Sequence, residues 1–226
     1  MGIYAIALFF MLISWLVGAR LKSKFKQYSQ VPTSSGLSGK EIAEKMLRDN
    51  DIRDVTVTSV EGHLTDHYNP LNKTINLSPD VYQGRNVAAA AVAAHETGHA
   101  VQHAHAYSWL QMRSTLVPIV SFTSNIVQWI LLGGILMLNT FPQLLLIGIG
   151  IFALTVLFSF ITLPVEMDAS RRALVWLEDK KMTIGHEHDK AKDALWWAGM
   201  TYVVAAIYSL AVLLYYVSKY MGRRSD

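Results

Sequence analysis

The sequence predicts a mainly α-helical membrane protein with about four transmembrane helices and a small α+β domain. Hydrophobic residues make up 52% of the 226 residues and charged residues 16%, whereas roughly 25% of the residues in soluble domains are charged. No Asp, Glu, Lys or Arg occurs in residues 1–19, 114–165 or 194–218. Because a spanning helix needs about 20 apolar residues, these stretches favour membrane spans over buried core helices.

The predicted spans divide the chain into five parts. The middle stretch is long enough for two spans, and turn residues at 139–143 separate them. The spans are expected near residues 2–19, 115–138, 144–163 and 197–217. The predicted parts are an N-terminal transmembrane anchor (1–19), a membrane-proximal domain (20–113), a transmembrane hairpin (114–163), a cytoplasmic segment (164–193), and the last transmembrane helix with its tail (194–226).

The distribution of basic residues predicts the orientation in the membrane. No charge precedes the first apolar run, and four cations follow it between residues 20 and 26, which is typical of an anchor rather than a cleaved signal peptide. Under the positive-inside rule, these cations place residues 20–113 in the cytoplasm. Six cations in segment 164–193 agree with a location on the same side. Three cations in the C-terminal tail oppose it, and a re-entrant last segment is the alternative that places the tail inside.

Composition also restricts the chemistry that the chain can carry. The chain has no cysteine, so disulfides and thiolate metal sites are excluded and any metal must bind to His and carboxylate groups. The net charge is +3, but no basic helix with interleaved aromatic residues occurs, so nucleic acid is not an expected partner.

Local patterns predict the elements of the membrane-proximal domain. Ser38 and Glu41 fit a capping box for a helix that ends near Asn50. Alternating residues at 55–58 predict a strand, and segments 64–68 and 74–77 on either side of turn residues 69–72 predict a β-hairpin. Segment 74–77 is interpreted as an edge strand that pairs with extended substrate. A long Ala-rich helix, capped by Asn86, is predicted from Val87 to about Arg113.

The Ala-rich helix contains the motif His95-Glu96-Thr97-Gly98-His99. Histidines at positions i and i+4 lie on one helical face, so both rings can reach one metal ion. Glu96 points about 100° away and can act as a base beside the ion. A polar helix surface is the alternative, but the flanking residues are apolar and buried histidines need partners. Gly98 predicts a close approach by another backbone segment.

The third metal ligand is not decided by the motif. His103 lies about 12 Å along the helix from His95, too far for a shared ion. Glu166 is the first charge after the long apolar stretch, and a helix beginning at Pro164 would present it in its first turn. The alternative is an interfacial carboxylate near a helix N-terminus. Asp168 has an ordinary partner in Arg172 at i+4.

Four segments together resemble the YugP family of bacterial membrane zinc metallopeptidases, which is distantly similar to HtpX-type membrane proteases. They are GHLTDHYNPLNKTINLSPDVY, VAAAAVAAHETGHAVQ, LPVEMDASRRAL and WWAGMTYVVAA. The resemblance implies a gluzincin-type site, with His95 and His99 as ligands, Glu96 as catalytic glutamate and Glu166 as third ligand. HtpX-type proteins carry Asp four residues after that ligand, where this chain has Ser170; Asp168 or a backbone carbonyl are the replacements considered for orienting a metal-binding histidine.

The resemblance implies an integral-membrane endopeptidase of the bacterial plasma membrane that uses one Zn²⁺ per chain. Its substrates would be polypeptides, including membrane-associated proteins, and the distribution of basic residues predicts an active site on the cytoplasmic side. A membrane scaffold with a structural zinc site and a non-peptide zinc amidohydrolase are the alternatives. Candidates for a second oxyanion donor are His103, His186, His188 and Tyr68. A second metal site at His63, Asp66 and His67 competes with ordinary polar hairpin faces.

Overall fold

The structure, a computed structural model, describes residues 2–62 and 64–222. The described residues form seven helices and three strands. The elements are α1 (Ile3–Tyr28), α2 (Gly39–Asp49), β1 (Thr56–Ser59), β2 (His67–Asn69), β3 (Thr74–Leu77), α3 (Pro79–Gln83), α4 (Val87–Ala104), α5 (Ser108–Leu136), α6 (Gln143–Asp179) and α7 (His186–Gly222).

Helices α1, α5, α6 and α7 are long and apolar enough to cross a membrane, and they are the four such helices among the described residues. Each contains an apolar window with few charges, and less than a third of that window is buried inside the protein. Exposed apolar side chains on long helices are the pattern expected of a surface that faces lipid. The predicted fold class, a mainly α membrane protein with a small α+β domain, is confirmed.

Helix α6 corrects the predicted start of the helix that carries Glu166. This helix runs without interruption from Gln143 to Asp179, and Pro164 lies inside it rather than at its beginning. Proline has a φ angle suited to a helix and removes one backbone hydrogen bond. The long helical segments on both sides outweigh that local loss. Glu166 therefore lies in mid-helix, directly beyond the predicted third span.

The chain divides into two compact units, and the first contains the apolar halves of the long helices. It consists of residues 2–16, 111–163 and 201–222. Val127 and Leu131 of α5 pack with Leu145 and Ile149 of α6 in its core. A Cβ atom on Gly134 would lie 2.6 Å from the Leu145 Cα atom. The glycine thus allows the two helices of the predicted transmembrane hairpin to approach closely.

The second unit consists of residues 17–110 and 164–200 and contains the three-stranded sheet. Ile42 and Met46 of α2, Ile75 and Leu77 of β3, and the alanines of α4 form its buried core. Small alanine side chains let neighbouring elements pack close to the α4 backbone. As predicted, Ser38 and Glu41 form a capping box on α2, and the Asn86 side chain caps α4.

The sheet confirms the hairpin and corrects the identity of its edge strand. β2 and β3 pair in antiparallel register, with Tyr68 opposite Ile75. β1 pairs with β3 in parallel register on the other side, so the strand order is β1-β3-β2. The prediction that segment 74–77 is an edge strand is wrong, because β1 occupies the side that was expected to be open. β2 is instead the edge strand of the hairpin.

Helix α4 ends earlier than predicted. It stops at Ala104 rather than near Arg113, and α5 begins at Ser108. Ala106 has a φ angle of 51°, and a left-handed residue of this kind ends a helix. The Tyr107 N–H donates to the Gln102 carbonyl oxygen at 2.9 Å across the break. The motif helix and the second span are therefore separate helices.

Candidate metal centre

Three potential metal ligands from two helices meet in the second unit. His95 and His99 lie on α4 and Glu166 lies on α6, and one ligand atom from each falls within 4.8 Å of the others. The Glu166 Oε2 atom lies 3.4 Å from His95 Nε2 and 3.6 Å from His99 Nε2. His99 and Glu166 are buried and His95 is nearly so. Their role as metal ligands stays a prediction.

A glycine allows the two helices to bring these groups together. A Cβ atom on Gly98 would lie 2.6 Å from the backbone carbonyl oxygen of Ala169. Gly98 lies between the two histidines, and Ala169 lies one turn beyond Glu166 on α6. The close backbone approach predicted from Gly98 is thus present in the structure, and it accounts for a glycine in mid-helix.

We expect Gly98→Ala to destabilise the protein, because the added methyl group forces α4 and α6 apart. Overpacking of this kind costs roughly 1–3 kcal/mol, so the thermal unfolding midpoint should fall. Gly199→Ala is the matched control, because this helical glycine has nothing within 4 Å of its added Cβ and alanine favours the helix. An unchanged midpoint for Gly98→Ala would contradict the packing argument.

Ser170 orients His95. The Ser170 Oγ atom lies 3.0 Å from His95 Nδ1, and Ser170 follows Glu166 by one helical turn. When Nδ1 carries the proton, it donates to the hydroxyl oxygen and leaves the Nε2 lone pair on the side of Glu166. The position where HtpX-type proteins carry Asp is therefore occupied by a residue that contacts the histidine directly.

Gln102 orients His99 in the same way. Its Nε2 group donates to the Val165 carbonyl oxygen at 2.8 Å and to Asp168 Oδ2 at 2.9 Å. Because both neighbours of the amide nitrogen are acceptors, the amide oxygen must face His99 Nδ1, which lies 3.1 Å away. His99 then donates from Nδ1 and presents Nε2 to Glu166. Such outer contacts fix the tautomer of metal-binding histidines.

Two arginines bind the carboxylate of Asp168, the residue that contacts Gln102. Arg171 Nη2 lies 2.8 Å from Asp168 Oδ1, and Arg172 Nε donates to Asp168 Oδ2. The predicted ordinary pairing of Asp168 with Arg172 is therefore confirmed. Asp168 also acts on His99, but through Gln102 rather than by a direct contact.

The donor atoms suit a divalent metal. Both imidazole Nδ1 atoms have partners, so the two Nε2 atoms and one carboxylate oxygen converge on one point. Two imidazoles and a carboxylate form a typical zinc ligand set when cysteine is absent. Burial disfavours protonation of His99, but the hydrogen bond and charge of Glu166, together with Glu96 and Gln102, outweigh burial and raise the pKa of His99 above its usual value.

Glu96 is held beside the cluster by the edge strand. Its Oε2 atom accepts a hydrogen bond from the Tyr68 backbone N–H at 3.0 Å, and Glu96 is buried. Tyr68 lies in β2, opposite Ile75 of β3. The edge strand therefore places the Tyr68 N–H next to the Glu96 carboxylate.

The Tyr68 side chain extends along the same face of α4. Its hydroxyl group lies 2.7 Å from His103 Nδ1, and His103 is two helical turns beyond Glu96. Burial, with a smaller contribution from Asp54, raises the pKa of Tyr68 to about 12. The phenol therefore keeps its proton at neutral pH and can donate a hydrogen bond.

The remaining predicted candidates lie in other settings. Asp66 accepts from the Ser78 backbone and hydroxyl groups, and His67 contacts the Thr65 carbonyl oxygen and Asn76. These contacts match ordinary hairpin polar faces; His63 lies outside the described residues. The His186 side chain is 97% exposed. His188 is partly buried and lies 3.7 Å from Glu178.

Sequence reasoning missed the role of Gln102 and assigned no contact to Ser170. Gln102 is fully buried on an otherwise apolar part of α4, three residues after His99. A buried amide needs hydrogen-bonding partners, so its position beside a candidate ligand was a usable signal. Ser170 stands where HtpX-type proteins carry Asp, which was a signal for this position, but its contact with His95 depends on how α6 packs against α4.

Comparison with known proteins identifies the family. Residues 3–221 match the family described as "Putative neutral zinc metallopeptidase". The chain belongs to this family. It is also 40% identical over 216 residues to "Putative membrane protease YugP" of Bacillus subtilis (strain 168), covering 95% of this chain and 94% of the relative. The predicted YugP-like identity is thereby confirmed. No solved structure matches the chain.

Proposed function

We propose that the protein is an integral-membrane zinc-dependent endopeptidase of the gluzincin type. The observation that carries this proposal is the convergence of His95, His99 and Glu166, with Glu96 held beside them by the edge strand. The four long apolar helices and the similarity to a relative named as a membrane protease support the membrane setting.

One zinc ion per chain would be held by His95, His99 and Glu166. When bound, zinc supplies Lewis-acid chemistry that lowers the pKa of water and polarises a carbonyl group. Ser170 and Gln102 hold the two imidazoles in the tautomers that this binding needs. These two contacts therefore support the orientation of the ligand atoms that zinc binding needs.

The chain's own groups would carry the proton transfers of peptide hydrolysis. The Glu96 carboxylate takes a proton from the attacking water at an Oε atom and returns it to the leaving amine. The Tyr68 N–H holds this carboxylate in place. The Tyr68 hydroxyl is our choice for the second oxyanion donor, ahead of His186 and His188, because it lies on the Glu96 face of α4.

A structural zinc site in a membrane scaffold is the main alternative. Such a site needs a fourth protein ligand, and His103 and Asp168 were the candidates. In the structure His103 pairs with Tyr68, while Asp168 binds Gln102 and two arginines. These engagements favour a site open to substrate. A non-peptide amidohydrolase would share the same ligand set and differ in what it cleaves.

The proposed active site faces the cytoplasm, and its substrates are polypeptides near the membrane. Four cations directly after the first apolar run support this orientation under the positive-inside rule. Glu166 directly follows the predicted third span along α6. This position suits chains that lie close to the bilayer, including membrane-associated proteins.

The test of the proposed function measures zinc and proteolysis on the same sample. We expect purified wild-type protein in lipid nanodiscs to contain one zinc per chain and to cleave casein. A chelator should abolish cleavage, and added zinc should restore it. Zinc without cleavage of any peptide would support the scaffold or the amidohydrolase, and absence of zinc would overturn the proposed metal site.

We expect Tyr68→Phe to lower kcat for peptide cleavage about 100-fold, the scale typical of losing one oxyanion donor. KM and zinc content should change little, because the backbone N–H of residue 68 still binds Glu96. Tyr82→Phe, on α3, is the control and should retain wild-type kcat. Unchanged kcat in Tyr68→Phe would shift the donor role to His103 or His188.

A further inference from the structure

A groove runs between α6 and α7 in the second unit and begins at the candidate metal centre. Its volume is about 550 Å³, and Glu166 and Ser170 line one end. Glu178 and His188 line it further along the two helices. Because Glu166 and Ser170 belong to both, the groove lies directly beside the metal centre.

The walls of this groove are mainly apolar. Leu174, Leu195 and Met200 line it together with Val175 and Trp196. Trp196 is 56% exposed, and Val175 is 53% exposed although it lies outside the predicted spans. Exposed apolar residues grouped in a concave surface mark a binding site more often than scattered ones do.

Three of the charged residues along the groove contact other charged or titratable groups of the protein, and Asp189 and Lys192 also line it. Arg171 binds Asp168, and Asp193 binds Lys24 at 2.7 Å. The Glu178 carboxylate lies 3.7 Å from the His188 ring. Apolar atoms make up most of the exposed lining of the groove, so apolar contacts are its main contribution to binding a ligand.

The length of the groove fits an extended peptide. Glu166 and Glu178 are separated by twelve helical residues, which corresponds to about 18 Å along the axis. An extended chain advances roughly 3.4 Å per residue, so about five residues span this distance. Val175 lies about 13 Å along α6 from Glu166, a distance of about four extended residues.

We propose that this groove binds an extended segment of the polypeptide substrate, on one side of the scissile bond, through apolar side chains over about five residues. The identification of the occupant as substrate rests on the proposed function. Continuity with Glu166 and Ser170 favours substrate over a lipid acyl chain or a second copy of this chain. The enzyme should therefore prefer sites flanked by apolar residues on one side.

The test measures peptide binding separately from cleavage. Fluorescent ten-residue peptides carry either leucines or serines on one side of a central bond, and each side is tested in turn. Their affinity for the Glu96→Gln variant in nanodiscs is measured. For one of the two sides, we expect the peptide with leucines there to bind about tenfold more tightly than the peptide with serines there. Small differences in apolar contact typically have effects of this size. Adding Val175→Asp should remove this difference.

Ile184→Asp is the matched control, because Ile184 is 54% exposed and lies outside the groove lining. It should retain the leucine preference, and zinc content should be equal in all variants. Equal binding of leucine and serine peptides, or equal effects of both Asp substitutions, would overturn the groove proposal. Occupation by lipid would also leave the peptide preference unaffected by Val175→Asp.

The same samples separate the two proposals. Cleavage of casein by wild type without any leucine preference in binding would retain the peptidase and reject the groove. A leucine preference that Val175→Asp removes, in a protein that cleaves no peptide, would retain the groove as a peptide-binding site and reject the proposed function.

Discussion

Glu96→Gln is expected to lower kcat for peptide cleavage by about 1,000-fold while zinc content stays at the wild-type value. General acid–base groups typically contribute 10²- to 10⁴-fold, roughly the range of this effect. Glutamine has nearly the same shape as glutamate and still accepts the Tyr68 N–H through its amide oxygen. The substitution therefore removes the proton acceptor without removing a predicted ligand or the contact to the edge strand.

The measurement pairs elemental analysis for zinc with the rate of casein cleavage. Glu44→Gln on α2 is the control, since Glu44 is a partly exposed glutamate whose partner is Lys40, and it should retain full activity. Loss of zinc in Glu96→Gln would make Glu96 a ligand rather than a base. Full cleavage in this variant would show that another group accepts the proton.

Glu166→Ala is expected to weaken zinc binding by more than about 100-fold and to abolish cleavage. Loss of an outer contact to a metal ligand already costs 10- to 100-fold in affinity, and Glu166 would supply one of three direct ligands. The substitution also removes the carboxylate that both imidazole Nε2 groups face. Competition with a zinc chelator of known affinity measures the change.

Glu178→Ala is the matched control for this result, because Glu178 lies on the same helix and outside the ligand cluster. It should bind zinc as tightly as the wild type does. Retained zinc affinity in Glu166→Ala would remove Glu166 from the ligand set. Asp168 would then be the next carboxylate to substitute, since it lies on the same part of α6.

Much of the candidate site could be predicted because short stretches of sequence determine it. The i, i+4 spacing of His95 and His99 places both rings on one face of any helix, and the apolar flanks indicate that the helix is buried. Glu166 could be proposed because it is the first charge after a long uncharged stretch. The capping residues Ser38 and Asn86 likewise depend on a few neighbouring residues.

The predictions that failed concern features that depend on contacts between residues far apart in the sequence. The strand at 74–77 was assigned to an edge because local alternation cannot show that β1 pairs with it in parallel. The sequence predicts that the helix carrying Glu166 begins at Pro164, because proline is a usual helix boundary signal. A long helix can nevertheless continue through a proline, as α6 does. The contact between Ser170 and His95 depends on the packing of α4 against α6.

The order of the ligands along the chain has a consequence for biosynthesis. His95 and His99 leave the ribosome before all of α5 and the first half of α6, and Glu166 follows only after both. A nascent chain that has not completed the membrane hairpin therefore lacks one of the three predicted ligands. If synthesis stops early, the released fragment carries the motif without its carboxylate partner.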